Sequence, residues 1–169
     1  MAAGAYGEGA TRMNRIEELA AEAGERGIDV HEREIPVPGM SAAYIRTETG
    51  EHIVIRQDGT QAERACWLAE ELGHHYTGSD RRLHYSAADD WRAEAKARKW
   101  AHDRLLSPDA IRTAARNTDD IYEIAFTLNV SVEFLRESID WYMARGLWAS
   151  EPPSEEDAFA AEAGAPPSE

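Results

Sequence analysis

The stretch from Thr60 to Gly78, TQAERACWLAEELGHHYTG, constrains the fold more than any other part of the chain. Thr60 followed three residues later by Glu63 is a capping box, which writes a helix start. Ala65, Leu68, Ala69 and Leu72 then recur at three- and four-residue spacing, giving one apolar stripe. Gly78 suits the left-handed turn that ends a helix. Such a helix buries only one side, so the rest of the chain must supply a layer for it to pack against.

The residues before it supply a sheet. Ala43–Thr47 and His52–Arg56 are extended in character and flank Glu48-Thr49-Gly50-Glu51, which reads as a β-hairpin closed off by Asp58-Gly59. Ile28-Asp29-Val30 and Ile35-Pro36-Val37 are also extended, and Pro38-Gly39 marks a turn. Upstream, Met13, Ile16, Leu19, Ala20 and Ala23 have helical spacing.

Downstream, a second long helix starts near Ala88-Asp89 and reaches Leu106, with Trp91, Ala97, Trp100, Ala101 and Leu105 expected to be buried. Trp67 and Trp141 are further expected core residues. Ser107-Pro108, Thr118-Asp119-Asp120 and Ser131 each open a further helix. The expected class is α+β: a small three-stranded antiparallel sheet packed on a mainly helical domain. Residues 12–148 form that domain, 118–146 being a C-terminal helical hairpin. Residues 1–11 and the acidic 149–169 are expected to be disordered.

Composition narrows the function. A formal net charge of −14 repels phosphate backbones, so direct nucleic-acid binding is not expected. No apolar run nears the roughly 18 residues of a membrane span, and the N-terminus has no signal-peptide pattern. A lone cysteine, Cys66, fits a reducing compartment, and the expected location is the cytoplasm. By spacing Cys66 faces inward, as a small core residue rather than a nucleophile.

Residues 70 to 74 read Glu-Glu-Leu-Gly-His, one residue away from the HExxH helix of zinc proteases. Residues four apart lie on one helix face, so Glu70 and His74 project together as two metal ligands would. Glu71 sits beside them, placed to take a proton from an attacking water without ligating the metal. A third ligand has to come from elsewhere. The alternative is three solvent-facing residues on an ordinary amphipathic helix. Gly73 speaks against it, because glycine costs about 1 kcal/mol relative to alanine inside a helix unless something approaches closely there.

The ordered elements LAEELGHHYTG, then Glu94-Ala95-Lys96-Ala97-Arg98-Lys99-Trp100-Ala101, then Leu105-Leu106-Ser107-Pro108 and Tyr122-Glu123-Ile124-Ala125 with Leu128-Asn129-Val130-Ser131, resemble the ImmA/IrrE family of metallo-endopeptidases. The resemblance runs from about residue 43 to 146, and the LAEELGHH form is similar to that of phage and mobile-element members. It implies a zincin-like helix with His74 as a metal ligand, Glu94 as the third ligand and Glu71 as general base. It also implies Zn2+ as cofactor and a helix-turn-helix repressor as protein substrate, cleaved to derepress phage, mobile-element or stress genes. Asp89 and Asp90 are further ligand candidates if the second long helix starts later than Ala88-Asp89.

The departure from the family pattern is Glu70, where an imidazole is usual. A Glu/His/Glu set is harder and more anionic than His/His/Glu, which admits Mn2+ or Fe2+ and lowers the expected activity. His75 offers a substitute imidazole, although it points about 100° further round the helix. The competing function is a metal-free interaction protein that binds a regulator without cleaving it.

Tyr85 and His84, with Arg81 and Arg82, lie in the loop between the two ligand-bearing helices and border the expected cleft. His31, His52 and His102 stand alone in the sequence and read as structural. Residues 118–139 have helix-turn-helix spacing, but Glu133, Glu137 and Asp140 against Arg136 suit a packed hairpin that docks a protein, not a DNA reader.

Overall fold

The computed structural model describes residues 14–78 and 87–148. The termini expected to be disordered, 1–11 and 149–169, lie outside the described residues. Helix α1 (Arg15–Glu25) leads into β1 (Ile28–Arg33), β2 (Ala42–Thr47) and β3 (Gly50–Arg56). Five helices follow: α2 (Gln61–Thr77), α3 (Ala87–Leu105), α4 (Pro108–Ala115), α5 (Ile121–Leu128) and α6 (Val132–Ala144). The class is α+β, as the sequence predicts.

The sheet is mixed and not wholly antiparallel. β2 and β3 form the expected hairpin, Ala42 opposite Ile55 and Thr47 opposite Gly50. β1 pairs in parallel with β3, Ile28 opposite Glu51 and Arg33 opposite Arg56, so the strand order is β1-β3-β2. The segment 34–41 carries the chain past the place that β3 later fills, which puts β1 and β2 on opposite edges.

One face of this sheet is covered and the other is open. Ile28, Ile53 and Ile55 are fully buried, together with Leu19 of α1 and Leu68 and Leu72 of α2. The alternate residues, among them Asp29, His52 and the exposed Ile45, occupy the far face. A second part of the same core joins α3 to the last three helices through Ile111, Phe134, Leu135 and Tyr142.

Helix ends follow the local code. The Thr60 hydroxyl accepts from Glu63 N at 3.2 Å while Thr60 N donates to Glu63 Oε2 at 2.7 Å, completing the capping box. Gly78 stops α2 at φ 65°, donating to the carbonyls of His74 and His75. Ser107, Asp120 and Ser131 cap α4, α5 and α6. Thr60→Ala removes one side of the capping box, and a thermal melt should show the loss of about 1 kcal/mol.

Trp91 is not in the core: it is 72 % exposed, while Ala97 and Ala101 are fully buried. Ala97 is small because α2 and α3 approach too closely at Gly73 for anything larger there. A Cβ on Gly73 would lie 2.3 Å from the carbonyl oxygen of Ala97. The expected close approach beside His74 is therefore real, and it is backbone against backbone.

His102 is structural, as expected. It is buried and its Nδ1 lies 2.7 Å from the Ser138 hydroxyl, with the Phe134 ring beside it. Burial, reinforced by Arg98, pushes its pKa down to about 4. A histidine depressed in the folded state contributes stability above its unfolded pKa, and that stability is lost as pH falls toward the folded one. The chain should therefore lose about 2–3 kcal/mol on acidification from pH 6.5 to 4, from this group alone. Urea midpoints across that range should move less in His102→Gln.

Candidate active site

The cleft that carries the chemistry opens where α2, α3, α6 and the segment 37–42 meet. It encloses about 430 Å3 and its walls include Glu70, Glu71 and His74 from α2, Glu94 and Arg98 from α3, and Glu133 and Glu137 from α6. The segment Val37 to Ala42 forms the opposite lip and runs into β2, an edge strand.

Glu71 and His74 are buried at 8 % and 5 % exposure, three residues apart on the inward side of α2. His74 Nε2 faces Glu94 Oε1 across the helix pair at 3.6 Å. The Gly73 contact with Ala97 sits between the two helices that bear these groups, so the close backbone approach is what lets a short imidazole and a glutamate meet.

The electrostatics are lopsided. Five glutamates line the cleft, with Arg98 among them. Burial pushes the Glu70 carboxyl up to about 7, Arg98 opposing the shift while Glu137, Glu71 and Glu94 add to it. Gathering that much negative charge in a sheltered place costs stability unless a cation enters. A divalent ion is what this donor set suits, two carboxylates and an imidazole that would hold it. The ligand atoms of Glu70, His74 and Glu94 do not, however, all lie within 4.8 Å of one another. The His74–Glu94 pair is assembled. Seating an ion against all three requires their side chains to draw closer.

The remaining expected residues are placed as follows. His75 points to the sheet and not the cleft: its Nδ1 lies 2.8 Å from Glu51 and 3.4 Å from the Tyr44 hydroxyl. His84 and Tyr85, with Arg81 and Arg82, lie outside the described residues. Asp89 and Asp90 belong to the first turn of α3. Cys66 also lines the cleft, but burial pushes its thiol up to about 12, leaving it unreactive at neutral pH. Sequence reading missed Arg98, Glu133 and Glu137 as cleft residues. Arg98 was within reach, being four residues beyond Glu94 on α3, whereas nothing local says that α6 forms a wall.

The family described as IrrE N-terminal-like domain, Peptidase_M78, matches residues 23–140. The chain belongs to this family. The match spans β1 to most of α6 and takes in every described wall of the cleft. No curated protein and no solved structure matches the chain. Family membership makes it a metallopeptidase-type, hydrolase-class domain. No helix among the described residues is long and apolar enough to cross a membrane.

Proposed function

We propose that this IrrE-like chain is a zinc-dependent endopeptidase of the cytoplasm, and that its substrate is a helix-turn-helix repressor whose cleavage releases phage, mobile-element or stress genes. The observation that carries the reading is the facing of His74 and Glu94 at 3.6 Å, with Glu71 buried beside them in one cleft.

Glu70, His74 and Glu94 would hold the ion, which supplies a Lewis acid beside the scissile carbonyl when bound. Glu71 takes a proton from the attacking water and returns it to the leaving amine. An extended peptide can lie along the lip at 37–42 and pair with edge strand β2, which would present one peptide bond to the cleft floor. Arg98, across the same cleft, is positioned to balance charge as an oxyanion develops.

The acidic residues of α6 support the exclusion of direct DNA binding. Glu133 and Glu137 face the cleft, so the helix that resembles a recognition helix contributes a wall.

A second reading has its own support: a partner-binding protein that does not cleave. Glu70 stands where an imidazole is usual, and the three ligand atoms are not drawn together. Metal analysis separates the two. The peptidase reading expects about one zinc, manganese or iron in the cleft, lost in both His74→Ala and Glu94→Ala. Incubating the metal-loaded chain with a candidate helix-turn-helix repressor should then yield a shortened repressor by mass spectrometry. An intact repressor retained on a cleft without metal would establish the second reading.

A further inference from the structure

Two imidazoles and a carboxylate stand together on the face of the sheet that the helices leave open. Asp29 and His31 are two residues apart on β1 and so project from the same side. The parallel register sets Asp29 directly beside His52 of β3. His52 Nδ1 lies 3.7 Å from Asp29 Oδ2. The His31 and His52 rings stack with centroids 5.6 Å apart. One ligand atom from each residue falls within 4.8 Å of the other two.

We propose that Asp29, His31 and His52 form a second metal site, separate from the cleft, for a divalent first-row transition ion of the zinc type. None of the three lines the cleft. A plain ion pair would explain one histidine beside the aspartate, but not two imidazoles turned to the same point. Two nitrogens and one carboxylate oxygen are a donor set for Zn2+, Ni2+, Co2+ or Fe2+, while Ca2+ and Mg2+ ask for oxygens. Donors on one tetrahedral zinc sit about 3.3 Å apart, given bonds near 2.0–2.1 Å, so the existing spacing must close by only a few tenths of an ångström to about 1.5 Å. The Asp29 side chain is 73 % exposed and free to supply that movement.

The consequence lies in the sheet. β1 is an edge strand whose neighbour in the sheet is β3, and the three ligands bridge those two strands. An ion there ties β1 to the sheet and leaves its open positions to water, with no cleft walls to bind a substrate. It acts as a clamp, filled or emptied according to the supply of metal.

The test uses the tag-free full chain titrated with Zn2+ alone and with Co2+ alone, read by calorimetry and by the Co2+ absorption spectrum. In a His74→Ala/Glu94→Ala background the chain should still bind one equivalent and melt at a higher temperature when it does. His31→Ala and His52→Ala, each tested separately, should weaken that binding at least about tenfold, and Asp29→Asn should weaken it measurably. The imidazole nitrogen resonances of His31 and His52 should shift on adding Zn2+ to the natural chain. These side chains are on the open face, so the variants should keep the native circular dichroism, and the resonance shifts give the answer where one does not. Zn2+ binding that is absent from the cleft-emptied chain while the His31 and His52 resonances of the natural chain stay still overturns the proposal. So does binding indifferent to both histidine substitutions. Neither result bears on peptidase activity, which rests on the other site.

Discussion

Glu71→Gln is expected to lower cleavage of the protein substrate by about 10²–10⁴-fold, the usual worth of a positioned general base, or about 3–5 kcal/mol of barrier. The substitution keeps the shape of a side chain that is 8 % exposed and removes its ability to accept a proton. Metal content should stay where the natural chain has it, because the ion is assigned to Glu70, His74 and Glu94. The variant should also fold as well as the natural chain or better, since it takes one charge out of a cleft lined by five glutamates. Measuring product formation, metal per chain and melting temperature on one preparation decides the assignment. Loss of metal together with activity would make Glu71 a ligand. Undiminished cleavage would remove it from the chemistry altogether.

The residues that made this site legible are local. Glu71 and His74 follow from three- and four-residue spacing on a helix whose two ends, Thr60 and Gly78, are written in the sequence and formed as written. The hairpin is local too, its two strands joined by Thr47–Gly50. What was not legible depends on choices made between distant segments. Glu94 came only from the family resemblance, since nothing in its own helix distinguishes it from its charged neighbours. The parallel pairing of β1 with β3 is a choice between edges that neither strand's pattern reveals. Its consequence was hidden with it: His31 and His52, 21 residues apart and each unremarkable alone, become neighbours only in that register. Trp91 fails for a related reason. A large aromatic reads as core, but Trp91 lies exposed near the start of α3, and where that helix meets Gly73 only the small Ala97 fits, which is a property of the pair of helices.

Gly73→Ala makes the same point energetically. In an isolated helix the change should stabilise by about 1 kcal/mol, alanine being the better helix former. Here the new Cβ would sit 2.3 Å from the Ala97 carbonyl oxygen and 2.9 Å from its carbonyl carbon and Cα. These are backbone atoms, which cannot swing aside as a side-chain end does, so the helices must part by about 1 Å. Overpacking of a tight core costs about 1–3 kcal/mol, and a clash with main chain belongs at the upper end. The overlap wins, with a net loss of about 2 kcal/mol and a fall in melting temperature of about 4–8 °C for a chain of this size. Gly24 provides the control, for a Cβ there meets nothing within 4 Å, and Gly24→Ala in α1 should leave stability unchanged or raise it. The larger effect is on the site. His74 is the next residue along, and its 3.6 Å approach to Glu94 depends on the spacing that Gly73 permits. A displacement of about 1 Å between catalytic groups can cost 10²-fold in rate, so activity should fall far more than the modest loss of stability accounts for. Assaying Gly73→Ala well below its melting temperature separates the two. Activity restored in proportion to the folded fraction would mean that the glycine serves only packing, whereas a persistent hundredfold deficit in fully folded protein would show that it sets the distance between the two helices that carry His74 and Glu94.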